Sequence, residues 1–96
     1  MDMQAQEYFK QKNWIQAIDL YNKLLGNKQN TIEQIISYLT NRAQCFLELN
    51  NYQAVIIDSK NIIKLAQDHN YNVCLARKRL IHCLYLLKRF AGNLSH

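Results

Sequence analysis

A chain of 96 residues is enough for one domain and lies near the lower limit for a self-sufficient hydrophobic core. With 49% apolar and 20% charged residues, its make-up is that of a folded globular protein and excludes a disordered tail. The net charge of +5 is uneven: residues 1–59 hold five basic and six acidic groups, whereas residues 60–96 hold seven basic groups against Asp68 alone, a patch suited to acidic peptides, nucleic acid or an anionic surface.

Proline is absent and glycine occurs only at Gly26 and Gly92, so little interrupts regular structure. Apolar residues recur at helical spacing in five segments. The first is predicted over about Met3 to Lys12, with Tyr8 and Phe9 on its apolar side. The second, about Trp14 to Leu25, places Ile15, Ile18, Tyr21, Leu24 and Leu25 on one stripe and ends at Gly26, which tolerates a left-handed backbone. Thr31 followed by Glu33 and Gln34 has the pattern of a capped helix start, and Ile35, Ile36, Leu39, Ala43, Phe46 and Leu47 extend that third helix to about Leu49. After a turn at Asn50-Asn51, the fourth helix runs from about Tyr52 to Ala66 on Val55, Ile56, Ile62, Ile63 and Leu65, and Gln67-Asp68-His69-Asn70 closes it. The fifth is predicted from about Tyr71 to Arg89, presenting Leu75, Leu80, Ile81, Leu84, Leu86 and Leu87, with Ala91 to His96 frayed.

Paired antiparallel helices at a fixed period are the signature of an α-solenoid, in which each hairpin covers its apolar face by stacking on the next. The run from Glu7 to Tyr21, carrying Tyr8, Trp14, Ala17 and Tyr21, resembles the first repeat of co-chaperone-type tetratricopeptide-repeat (TPR) domains. The run from Tyr38 to Leu49 is similar to the Tyr-x-x-Asn-Arg-Ala helix of the same family, with Asn51, Tyr52 and Asp58 following. Leu87-Lys88-Arg89-Phe90 resembles the turn into a further helix. The expected fold is therefore an all-α solenoid of antiparallel hairpins, about two and a half TPR-like repeats in five helices. The repeats span about 1–30, 31–70 and, in part, 71–96 of a single domain. Trp14, Tyr52 and Phe90 recur at 38 residues instead of the usual 34, Ala54-Val55 stands where the second repeat expects alanine, and the proline that often ends a repeat is missing.

No catalytic constellation is legible. His69, His82 and His96 are scattered, and His82 and Cys83 are neighbours on a helix, about 100° apart and unsuited to joint ligation of one metal. No glycine-rich phosphate loop is present, so neither enzyme activity nor a cofactor or metal is expected. The odd number of cysteines, Cys45, Cys74 and Cys83, each in an apolar stretch, points to a reducing, cytoplasmic compartment. Met1-Asp2-Met3-Gln4 lacks the features of a secretory signal, and no apolar stretch nears the roughly 18 residues of a membrane span, so no membrane partner is expected.

The resemblance implies a protein-protein interaction module, an adaptor or scaffold, that holds a partner's peptide in the concave groove lined by the first helix of each hairpin. In the co-chaperone branch a clamp of lysine, asparagine and arginine grips the acidic C-terminal peptide of a heat-shock chaperone, through charge-assisted bonds. Asn41 and Arg79 match clamp residues, and Gln6 keeps an amide where the family has asparagine. Asp2 and Leu75 stand where the family has lysines. Lys78 is a substitute cation beside Arg79, and Gln44 and His82 lie one turn along from Asn41 and Arg79. The candidate peptide-binding residues are thus Asn41, Arg79, Gln6, Gln44, Lys78 and His82. Two alternatives stand beside this reading: a structural subunit buried among neighbouring subunits of an assembly, motivated by the uncovered apolar face of the fifth helix, and nucleic-acid binding through Arg77-Lys78-Arg79 and Lys88-Arg89, which ranks lower because only Tyr85 interleaves the cations.

Overall fold

The computed structural model describes residues 2–69 and 72–94, with side chains over 3–69 and 72–89. Among these residues the regular structure is entirely helical: α1 (Asp2–Lys10), α2 (Trp14–Leu25), α3 (Ile32–Glu48), α4 (Tyr52–Gln67) and α5 (Cys74–Leu94). The expected all-α arrangement of helical hairpins is observed, and each helix packs on the next in sequence.

The two hairpin turns are closed by the same local chemistry. Lys12 and Asn50 adopt φ values of 60° and 61°. In the first turn Asn13 N–H donates to the Tyr8 carbonyl and Lys12 N–H to that of Phe9; in the second Asn51 N–H donates to Phe46 and Asn50 N–H to Leu47. This is the Schellman closure, in which one left-handed residue satisfies the last carbonyls of a helix. Asn13 and Asn51 then begin the next helix with nearly the same φ and ψ, and the Asn51 side chain accepts from Ala54 N–H. Lys12 and Asn50 are 38 residues apart, so the period read from the sequence is also the period of the backbone.

Gly26 departs from expectation. Its φ of −74° is right-handed, and its N–H donates to the Asn22 and Lys23 carbonyls, so α2 ends by a tightened last turn and not by a left-handed glycine. The link to α3 is held instead by the Asn30 side chain, which donates to the Leu24 carbonyl at 2.6 Å. Thr31 opens α3 with a full capping box: its hydroxyl accepts from Gln34 N–H, and its own N–H donates to the Gln34 side chain.

Small residues set the helix approaches. Ala5, Ala17, Tyr21, Tyr38 and Cys45 form one buried cluster across α1, α2 and α3. Trp14 meets Phe9 edge-on at 5.3 Å between ring centroids. Ala43, Val55, Ile56 and Cys83 form a second cluster across α3, α4 and α5; the valine that replaces the expected alanine is fully buried there, against the small Cys83. Leu39, Ile62 and Ala76 make a third. Ile15, expected on the buried stripe of α2, is 70% exposed, because it lies about 100° round the helix from Trp14, the residue that faces inward.

Arg42 fastens the middle of the stack. Its guanidinium donates to both carboxylate oxygens of the buried Asp58, at 3.0 and 2.5 Å, and to the Asn22 side chain at 2.8 Å, joining α3 to α4 and α2 together. On the other side Arg79 of α5 donates to α3. The helices therefore lie in two layers, α1, α3 and α5 against α2 and α4, giving a slab of 48 × 32 × 19 Å. Its radius of gyration of 14.2 Å exceeds the value of about 12.5 Å for a compact chain of this length.

The fifth helix also differs from expectation. Tyr71, its expected first residue, lies outside the described residues; Asn72 and Val73 are not helical, and the Asn72 side chain accepts from Cys74 N–H at the first helical residue. No turn forms at Leu87-Lys88-Arg89-Phe90, and helix continues through Ala91 to Leu94, where fraying was expected; Ser95 and His96 lie outside the described residues. In the first hairpin the returning helix secures the turn by placing Trp14 against Phe9, and no such helix is described after α5.

Candidate peptide-binding face

The 38-residue period superimposes the layer of α1, α3 and α5. Gln6, Gln44 and His82 occupy one equivalent position, and Asn41 and Arg79 another. Gln6 is exposed on α1, Lys78 and His82 are exposed on α5, and Asn41, Gln44 and Arg79 are half-buried. The structure joins two of the six directly. Arg79 donates from Nη2 to the Gln44 side-chain oxygen at 2.5 Å and from Nη1 to the Thr40 carbonyl, beside Asn41, at 2.9 Å. Gln44 is held in turn by donating to Glu48 at 2.9 Å. No hydrogen bond among the described residues links Gln6 to this group.

Arg79 is thus first a strut between helices. Burial lowers its pKa from the ordinary guanidinium value, partly offset by the neighbouring Cys83. A cation with two donors committed to α3 has fewer left for a ligand. Thr40, through its backbone carbonyl, is the participant that sequence reasoning missed; nothing in side-chain pattern marks a carbonyl acceptor. Asn41, by contrast, has no hydrogen-bond partner among the described residues, although it is half-buried. A cleft of about 420 Å³ opens between α3 and the start of α5, lined by Thr40, Asn72, Cys74, Leu75 and Lys78. Leu75 and Lys78 give it one apolar and one cationic wall.

On the opposite layer a second cleft of about 420 Å³ lies over Leu25, Ile35, Leu39 and Leu65, with Arg42, Asn61, Lys64 and Asp68 at its edge. Its Arg42 already commits three donors to Asp58 and Asn22, which leaves it little to offer a ligand in the cleft.

Cys45 and Cys83 are buried free thiols, and Cys74 is exposed. Burial raises the Cys45 pKa to about 11, with Glu48 adding to the shift and a backbone hydrogen bond opposing it; burial also raises that of Cys83, opposed by Arg79. Both buried thiols are therefore protonated at neutral pH and poorly nucleophilic. Among the described residues no group of three or more His, Cys, Asp or Glu side chains is placed to hold a metal ion, and no helix is long and apolar enough to cross a membrane. Comparisons with models of protein families, with curated proteins and with solved structures each find no match.

Proposed function

We propose that the chain is a protein-interaction adaptor of the TPR kind its sequence resembles, holding a partner's peptide against the layer of α1, α3 and α5. The observation that carries this reading is Asn41: an amide half-buried on α3, without a partner among the described residues, next to the Thr40 carbonyl on which Arg79 is anchored. An amide so placed offers a donor and an acceptor to an extended backbone, which is how grooves of this kind hold peptides independently of side-chain identity. Leu75 and the exposed Lys78 then favour a ligand with an apolar side chain followed by a carboxylate, such as an acidic C-terminal peptide of a chaperone. Free thiols at Cys45 and Cys83 accord with a reducing, cytoplasmic setting.

The test is calorimetric titration of the chain with a free acidic C-terminal peptide and with its C-terminally amidated form. Wild type should prefer the free carboxylate, and Asn41→Ala with Lys78→Ala should weaken binding by about tenfold or more, the loss expected of one charge-assisted and one neutral contact. Equal affinity of wild type and the double variant would discard the groove as the binding site.

A further inference from the structure

The outer side of α5 carries a second surface, which meets the groove only at Lys78. Ile81, Leu84 and Tyr85 are 68%, 46% and 61% exposed, although they lie at i, i+3 and i+4 on a helix whose other side is buried through Ala76 and Cys83. The 38-residue period assigns each a counterpart on α3: Ala43 for Ile81, Phe46 for Leu84 and Leu47 for Tyr85. Those counterparts are the residues that α4 covers, packing with Tyr52, Val55 and Ile56 in one cluster. The exposed patch on α5 is thus in register with a surface that, one repeat earlier, is a helix-packing surface.

The two surfaces differ in charge. Around the α3 patch stand Leu39, Thr40 and Asn50; at the same three positions on α5 stand Arg77, Lys78 and Lys88. Tyr85, Lys88 and Arg89 also line a shallow hollow at the end of the patch. Over Cys74–Arg89 α5 has five cations, Arg79 included, and no acidic residue. We infer that Ile81, Leu84 and Tyr85, with Arg77 and Lys88 at the two ends of their stripe and Lys78 at the edge shared with the groove, form a docking site for an amphipathic helix of another protein that carries acidic residues toward both ends of its apolar stripe. The helix geometry follows from the register with α3, and the acidic ends follow from the charge. Aliphatic Ile81 and Leu84 at the centre suit a side-chain ridge better than the stacked bases of a nucleic acid.

The experiment uses the full chain and two fluorescein-labelled peptides patterned on the 16 residues of α4, Tyr52–Gln67, one with glutamates at both ends of its apolar stripe and one with lysines there. Fluorescence anisotropy should show the glutamate peptide binding at least about tenfold more tightly than the lysine peptide, with an affinity that falls as salt rises. Ile81→Ser should weaken it by a similar factor, and Arg77→Glu with Lys88→Glu should reverse the preference between the peptides. All three positions are exposed, so unchanged far-UV circular dichroism and an unchanged unfolding midpoint are expected of each variant. Asn41→Ala should leave this binding intact, which separates the result from that of the groove titration. Equal affinity for both peptides, no binding of the glutamate peptide, or full binding by Ile81→Ser would each overturn the inference. So would capture of anionic vesicles or single-stranded RNA through these residues while the glutamate peptide fails to bind.

Discussion

Replacing Arg79 with methionine keeps the aliphatic stem and removes the guanidinium, which separates its strut role from a ligand role. Two bonds are lost, to the Thr40 carbonyl at 2.9 Å and to Gln44 at 2.5 Å. Bonds from a charged donor contribute about 1.5–3 kcal/mol each, but neither acceptor is orphaned: the Thr40 carbonyl lies mid-helix within α3, and the Gln44 oxygen can turn to water. The variant also escapes the burial of a cation, whose cost is visible in the lowered pKa of Arg79. The expected net loss is therefore about 1–2 kcal/mol for the pair, toward the low end of what the bonds alone suggest. For a domain of this length that corresponds to a fall in Tm of roughly 5–15 °C. Urea unfolding followed by circular dichroism measures it directly, and the slope against urea reports whether α5 stays docked. Asn41→Ala serves as the control, since the Asn41 side chain makes no hydrogen bond among the described residues and its loss should move stability by under about 0.5 kcal/mol. If Arg79→Met unfolds at the wild-type urea concentration while peptide binding disappears, Arg79 is no strut and belongs wholly to the ligand.

Asp58→Ala should be far more damaging, by about 3–5 kcal/mol, because it takes the carboxylate partner from the largely buried Arg42 guanidinium; Arg42→Met combined with Asp58→Leu should recover most of that loss, and both are read by chemical denaturation. Lys12→Gly should stabilise by about 0.5–1 kcal/mol, since glycine relieves a left-handed backbone that costs an L-residue about 1–2 kcal/mol and gives back part of that as chain entropy, whereas Asn50→Gly should gain less, because asparagine tolerates that conformation and Asn50 accepts from the Tyr52 hydroxyl; a lower Tm for Lys12→Gly would contradict the Schellman assignment. Cys45 contributes to stability fully below its ordinary pKa of 9.0, and that contribution should decline as pH rises toward about 11, because the unfolded chain releases the thiol proton over that interval while the folded chain retains it. Unfolding free energies compared between wild type and Cys45→Ala across pH 9–11 should show a shallower decline in the variant, and parallel curves would refute the assignment.

Helix positions were legible in the sequence because helical periodicity and local turn chemistry agree there. Trp14, Ile32 and Tyr52 begin their helices directly after Asn13, Thr31 and Asn51, residues whose side chain or backbone suits a cap. What failed was the inference of burial from apolarity. Ile15 and Ile81 are helical, apolar and exposed, because periodicity shows that a face exists but not how many neighbours the helix has. On α3, flanked by α2 and α4, apolar residues on two sides are covered; on α5, flanked by α4 alone among the described elements, one side is not. Gly26 misled for a related reason. Composition allowed a left-handed terminator there, while the positions that do adopt one, Lys12 and Asn50, are set by where the following helix must return.

The candidate site was legible as residue types and illegible as bonds. Gln44 and Arg79 are joined directly, and Arg79 spends two of its donors on Thr40 and Gln44, a commitment fixed by where α5 lies against α3. That placement depends on the buried small residues Ala43, Ala76 and Cys83 in the clusters that α3 and α5 form with Val55, Ile56 and Ile62 of α4. Enlarging any of them would push α5 outward, lengthen the Arg79 bonds and release the guanidinium toward the cleft beside Leu75 and Lys78. The packing of the core thus decides how much cationic character the groove presents. Ligand preference and the docking of α5 are, on this geometry, two readings of one interhelical distance.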